Sequence, residues 1–230
     1  MRYLGLLGGM SWESTLHYYQ QINEGVRERL GGLHSAPLLL HSVDFAPVAD
    51  LQQRGEWQAL GAQLACAAQG LVQAGARGLL LCTNTMHKVA PQIEAAVDVP
   101  LLHIADPTIT ALQAAGVRRV GLLATGFTME QDFYRQRLAA AGLAVLLPDA
   151  ADRSEVHRVI FDELCLGQVL AASRERYRAI IGRLQAAGAE AVILGCTEIG
   201  MLLQPEHSPL PLFDTTALHA AAAVTWLQGG

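Results

Sequence analysis

The chain has 230 residues, enough for one large domain or two of roughly 100 residues each, and either can bury a sizeable core. Hydrophobic residues make up 51% and charged residues 16%, which excludes a disordered chain. The net charge of −5, with no basic cluster, argues against nucleic acid or an anionic membrane surface as a partner.

Tyr3 to Leu7 reads as a buried strand, with Gly8-Gly9 as its turn. Ser11 is placed to cap a helix running to about Leu30. Trp12, Leu16, Tyr19, Ile22, Val26 and Leu30 recur three or four apart and form its expected inner face. Gly31-Gly32 stops it. Leu38 to Phe45 reads as the next strand, Trp57 to Ala74 as a helix, and Gly78 to Cys82 as a third strand ending in Thr83-Asn84-Thr85. A further helix leads to the strand Leu101 to Ile104, which ends at Ala105-Asp106.

The pattern then restarts. Arg119 to Ala124 resembles Tyr3 to Gly8 and is followed by Thr125-Gly126 and a helix from about Thr128 to Ala140. A strand at Ala144 to Leu147, helices near Ser154 to Leu164 and Ser173 to Ala187, and a strand at Ala191 to Leu194 follow. That strand ends in Gly195-Cys196-Thr197-Glu198, and Pro211-Leu212-Phe213 ends at Asp214. Such a long-period repeat implies an α/β fold with two pseudosymmetric, doubly wound parallel-sheet domains. The expected divisions are 1–106 plus 215–230 for the first domain and 107–214 for the second. In such sheets ligands collect beyond the carboxyl ends of the strands, where all the polar punctuation above lies.

No signal peptide is read, because Met1-Arg2 leads straight into an apolar run that Gly8-Gly9 ends. No long uncharged apolar stretch follows. Four cysteines without a CxxC pair suit reduced thiols, and the expectation is a soluble, cytoplasmic protein.

Thr83-Asn84-Thr85 and Cys196-Thr197-Glu198 occupy equivalent positions in the two halves. Each offers hydroxyls, and backbone N–H groups near a helix start that suit a carboxylate. Two such turns facing each other suit inversion at an α-carbon, which needs one group on each face. A cysteine fits that task because its thiol titrates closer to neutral pH than a hydroxyl does. Cys196 is the candidate, with Gly195 leaving room for a ligand. Cys66, in an Ala-rich helix, reads as core packing, and Cys165 as either structural or cleft-lining.

Gly-Leu-Leu-Gly-Gly-Met10-Ser-Trp-Glu-Ser, Cys82-Thr-Asn-Thr-Met-His87 and Gly195-Cys-Thr-Glu-Ile together resemble the aspartate/glutamate racemase family along the whole chain. The likeness is strongest to its broad-specificity bacterial amino-acid racemase branch. The resemblance implies racemisation by two opposed residues at the interface of two domains, with no PLP, no metal and no other cofactor. It also puts Thr83 where most of the family carries its first catalytic cysteine. Cys82 is one residue early, and consecutive residues of a strand point to opposite faces unless the loop twists. The implied catalytic pair is Thr83 and Cys196, with Cys196 the competent base and unequal rates in the two directions.

The resemblance further implies substrate-binding roles for Met10, Gln52, Asn84, Thr85, Thr125, Thr197 and Glu198. Met10 reads equally as core, Gln52 as a surface helix residue, and Thr125 as the counterpart of Gly9, with Thr128 capping the next helix. Glu198 either orients Cys196 and its proton or favours a helix dipole. His87 either tunes the cleft or is a satisfied helix histidine. Asp44, Asp106 and Asp214 read as turn formers or caps. The substrate is bracketed as Asp, Glu or a small polar amino acid such as homoserine. A homodimer is the default assembly.

A PLP enzyme has only Lys88 available for a Schiff base, since the chain holds no other lysine. Gly5-Leu-Leu-Gly8-Gly9 lacks the GxGxxG spacing of a nucleotide site, and no HxxxH or HxH spacing marks a metal. A thiol hydrolase needs a histidine beside Cys196, and none is near in sequence. Within the same family a maleate isomerase or an arylmalonate-type decarboxylase is the alternative, and the two-lobed plan also suits a non-catalytic small-molecule binding protein.

Overall fold

The structure, a computed structural model, describes residues 2–229. Met1, where the reading of the N-terminus begins, and Gly230, the last residue of the expected first domain, lie outside the described residues. The chain forms two compact units, one up to Ile104 together with the residues from His219, the other Ala105–Leu218.

The first unit runs β1 (Tyr3–Gly8), α1 (Trp12–Leu30), β2 (Leu38–Ser42), α2 (Phe45–Gln53), α3 (Trp57–Gln73) and β3 (Ala76–Leu81). A 3-10 turn, Thr85–Val89, then leads into α4 (Ala90–Glu94) and β4 (Leu101–Leu102). The second runs α5 (Ala105–Ala114), β5 (Arg119–Ala124), α6 (Gly126–Glu130), α7 (Asp132–Ala140), β6 (Ala144–Leu146) and α8 (Ala150–Asp162). It continues with α9 (Ala171–Ala186), β7 (Ala191–Gly195), α10 (Ile199–Leu202) and β8 (Leu212–Asp214), and α11 (Thr215–Leu227) ends the chain.

Each unit holds one four-stranded parallel sheet, in the orders β2-β1-β3-β4 and β6-β5-β7-β8. The two orders are the same strand for strand, as the sequence repeat implies. In each, the chain steps outward from the first strand and then crosses back to its other side. The switch points therefore fall between β1 and β3 and between β5 and β7, and in sheets of this kind ligands bind at the carboxyl ends there. These inner strands are buried along nearly their whole length because helices cover both faces. Each fully buried leucine among them contributes about 2 kcal/mol of burial.

Helix α1 begins where Ser11 accepts the Ser14 N–H at 3.3 Å. It ends at Gly31, whose N–H returns to the Arg27 carbonyl at 2.8 Å. Its inner face corrects the sequence expectation. Ser14, Thr15, Tyr18, Ile22 and Val26 are buried, whereas Trp12 is 64% exposed and Leu16, Tyr19 and Leu30 are about half exposed. Two stripes share the helical period, and the small-residue one faces inward because α1 starts tight against the end of β1. A Cβ on Gly8 would lie 2.5 Å from the Thr15 methyl group.

Other boundaries also differ. The second strand stops at Ser42, and Phe45 opens α2, capped by Asp44 accepting the Ala46 N–H at 3.2 Å. The helix expected over 128–140 is two, because Gln131 is extended between them, and Thr125 caps the first by accepting the Thr128 N–H. Cys66 is exposed, not core. The inner face of α3 is Leu60, Gly61, Leu64, Ala67, Ala68 and Leu71, and an Ala-rich helix offers little contrast to reveal that phase. Asp214 caps α11 as expected, accepting the Thr216 N–H at 2.8 Å. Asp106 instead holds Arg137 through both carboxylate oxygens at 2.6 and 2.8 Å.

Gly9 is the tightest glycine at a strand end. Its φ is +90°, and a Cβ there would lie 2.3 Å from the Val43 carbonyl oxygen. Gly9→Ala is expected to cost roughly 2–4 kcal/mol, combining left-handed strain with a backbone clash. A urea titration checks this. A loss under 0.5 kcal/mol, within the ordinary surface range of about ±0.5, contradicts the packing described.

Candidate active site: two strand-end turns

In the first unit the Thr83 turn grows directly from β3. Leu7 pairs with Leu81, and the Cys82 N–H donates to the Leu7 carbonyl at 2.9 Å. Cys82, the residue after β3, is directed into the core, where it joins Leu4, Leu6, Tyr18, Ile22, Leu80 and Val224. Burial pushes its thiol far above the usual range. The loop thus does not twist Cys82 out of the core. The Thr83 N–H bonds back to the Leu81 carbonyl at 2.8 Å, and Thr83, Asn84 and Thr85 follow, all buried.

Gln52 is buried on α2, not on a surface helix face, and its Nε2 donates to the Met86 sulfur at 3.0 Å. That contact joins α2 to the Thr83 turn. Met10 is buried in the core cluster with Leu7, Val48, Leu60 and Met86. The Gly9 N–H is held by the Thr15 hydroxyl at 2.8 Å. Arg54 pairs with Asp50 on the surface. Lys88 lies over the Trp57 ring at 4.0 Å.

In the second unit Ala124 pairs with Gly195, so Thr125 and Cys196 leave adjacent strands side by side. Both are buried. A Cβ on Gly195 would lie 2.8 Å from a Leu122 methyl, so the strand end packs closely. The Cys196 thiol donates to Glu198 Oε2 at 2.9 Å, and the Thr197 hydroxyl donates to the same oxygen at 2.7 Å. Burial first, then the negative charge of Glu198, holds the thiol well above its usual range. In the resting site Cys196 is a neutral thiol aimed at a carboxylate.

Cys165 sits half-buried on the 3-10 turn Leu164–Leu166, which packs on α10, and is near enough to Cys196 to add to that shift. Its turn is seated by Glu163, a buried residue that sequence reading missed. Glu163 accepts the Ser173 hydroxyl at 2.5 Å and the Arg158 guanidinium at 3.0 Å. Isolated Glu, Ser and Arg residues on separate elements carry no sequence signal of such a network. Among the described residues no group of three or more His, Cys, Asp or Glu side chains could hold a metal ion.

Both turns stand at the switch points of their sheets, carry hydroxyls, and end strands at equivalent positions in a duplicated fold. Residues 7–223 match the family model described as Asp/Glu/Hydantoin racemase. The chain belongs to that racemase family. Its members are isomerases, and this chain shares their two-sheet α/β fold. Similar solved structures include a Yersinia pestis protein provisionally titled an Asp/Glu racemase. It is 50% identical, with a TM-score of 0.92, covering 99% of this chain and all of that one. An aspartate racemase homologue from Pyrococcus horikoshii OT3 is 32% identical, with a TM-score of 0.85 and coverage of 99% and 100%. Among curated relatives, the broad specificity amino-acid racemase RacX of Bacillus subtilis strain 168 is 22% identical over 225 residues, 96% of each chain.

Proposed function

We propose that this racemase-family protein inverts the α-carbon of a small acidic or polar amino acid, using Thr83 from one unit and Cys196 from the other as the proton-transfer pair. The observation that carries the reading is the buried Cys196 thiol hydrogen-bonded to Glu198 at the end of β7, the position equivalent to Thr83 after β3. Glu198 takes the thiol proton as substrate enters, leaving a thiolate that removes the Cα proton from one face. The Thr83 hydroxyl returns a proton to the other face, and the alkoxide it leaves is reprotonated from solvent as product departs. The step through Thr83 is the harder one, since an alcohol is a much weaker acid and base than a thiol. Thr125, Thr197, Asn84 and Thr85 supply hydroxyls and amide groups for the substrate's carboxylate and ammonium. Met10, two residues past β1 and with its side chain in the core, is assigned a substrate contact through its backbone.

The amide of Gln52 favours tolerance of neutral polar side chains, so Asp, Glu and homoserine are the substrates to test. No helix among the described residues is long and apolar enough to cross a membrane, and the four cysteines are free thiols. Both fit a cytoplasmic role in D-amino-acid metabolism. We take the assembly to be a homodimer, which sedimentation velocity tests. Chiral chromatography of each enantiomer after incubation with the protein tests the activity. No inversion of any of the three substrates contradicts it.

Glu198→Gln separates the two effects of that carboxylate. Removing its charge lowers the thiol's proton affinity, so alkylation by iodoacetamide rises at a lower pH than in the wild type. Removing the proton acceptor is expected to cost about 10²-fold in kcat. Unchanged alkylation and unchanged kcat contradict the assigned role.

A further inference from the structure

Behind the Thr83 turn lies a buried group of three histidines. His87 sits in the 3-10 turn after Thr85, His103 follows β4, and His219 lies on α11. The His87 and His103 ring centroids are 4.4 Å apart, and those of His87 and His219 are 6.0 Å apart. The first two lie at the carboxyl ends of neighbouring strands.

The bonds of His87 fix its protonation state. One ring nitrogen, Nδ1, is 2.7 Å from the Thr83 carbonyl oxygen, which can only accept. The other, Nε2, accepts the Ile104 N–H at 3.2 Å. Only the neutral ring with its proton on Nδ1 satisfies both. His219 shows the complementary arrangement. Its Nε2 donates to the Leu102 carbonyl at 2.7 Å, and its Nδ1 accepts the Tyr18 hydroxyl at 2.9 Å. The ring of His87 is therefore a strut between the turn after β3 and the backbone after β4. Without it the Thr83 carbonyl loses a short bond inside a buried turn.

We infer that His87 is a positioning residue for Thr83: by holding the Thr83 carbonyl from Nδ1, it fixes the backbone that aims the Thr83 hydroxyl at the substrate. This rests on Thr83 acting in proton transfer as proposed above. Misplacing a reacting group by about 1 Å costs about 10²-fold, so the constraint has catalytic consequence.

The test compares His87→Asn, His87→Gln and His87→Leu. An Asn amide sits near Nδ1 and can still donate to Thr83, whereas a Gln amide sits near Nε2 and can meet only Ile104. His87→Gln and His87→Leu are expected to lose about 30–100-fold in kcat for inversion, with KM moving under threefold. His87→Asn is expected to recover most of that loss. Deuterium exchange from the enantiomer whose proton Cys196 removes stays near wild type in all three. Equal loss of exchange from both enantiomers, or His87→Asn no better than His87→Gln, overturns the inference. Thr83→Ala, run beside them, separates the two ideas. If it changes neither inversion nor exchange, the Thr83 assignment itself fails. A readout independent of the variants is nitrogen-15 NMR of the wild-type histidines, expected to show His87 protonated on Nδ1 alone. A proton on Nε2, or a charged ring at pH 7, overturns the proposal.

Discussion

Replacing Cys196 with alanine or serine is expected to abolish racemisation while the protein stays folded. The alanine variant removes the thiol that donates to Glu198 at 2.9 Å, but Glu198 keeps the Thr197 hydroxyl at 2.7 Å. The stability cost is then that of one small buried side chain and one hydrogen bond, about 1–2 kcal/mol. The serine variant is more demanding. It keeps a donor to Glu198 and nearly the same volume, and changes only the ease of proton loss. A general acid or base is worth about 10²–10⁴-fold, so both variants should fall by at least 10³-fold in inversion, and exchange at Cα should stop with it. Chiral chromatography and circular dichroism on the same samples check activity and fold together. Near-wild-type turnover in either variant contradicts the role given to Cys196.

Thr83→Ala is expected to separate exchange from inversion. With Cys196 intact, one enantiomer still loses its Cα proton to the thiolate, and the thiol so formed can exchange that proton with solvent before returning it to the same face. Deuterium therefore enters that enantiomer without inversion, while inversion falls by about 10²-fold or more. Thr83→Cys is expected to do the opposite and bring the two directions closer. The comparison belongs in kcat, because the two enantiomers are equal in free energy and kcat/KM must match in both directions. Two thiols should narrow the ratio of the two kcat values toward one. If Thr83→Ala leaves inversion untouched from either enantiomer, Thr83 has been misassigned.

The duplicated fold was legible because its signal is covalent and local. Apolar runs ending in glycine or hydroxyl residues mark the strand ends, and the run at Arg119 repeats the one at Tyr3. The topology β2-β1-β3-β4, repeated as β6-β5-β7-β8, follows from that alternation. What was not legible depends on distance between elements. The inner stripe of α1 could not be chosen from period alone, since Trp12, Leu16 and Tyr19 satisfy it as well as Ser14, Tyr18 and Ile22 do. Close approach to the Gly8-Gly9 turn decides it. Cys66 was misread for a related reason, because a helix built from alanine buries whichever side lies nearest the sheet.

At the candidate site, the strand ends identified Cys196 and Glu198, but not that the thiol hydrogen bonds to that carboxylate. Gln52 appeared as a polar residue on a helix, and its bond to Met86 is visible only once α2 and the Thr83 turn are packed together. The strut through His87 joins Thr83 to Ile104, and the network at Glu163 joins α8 to α9. Neither leaves a spacing pattern, because each is closed by folding and not by neighbours in sequence.

The most direct test of Cα proton transfer by this protein is an amino-acid panel in D₂O. Each enantiomer of Asp, Glu and homoserine is incubated with the wild-type protein. Deuterium at Cα is read by proton NMR and configuration by chiral chromatography. The expected result is exchange coupled to inversion for at least one of them, starting from either enantiomer, with no loss of carboxylate. Retention of every Cα proton across the panel, or loss of carbon dioxide in place of inversion, contradicts a racemase built on Thr83 and Cys196.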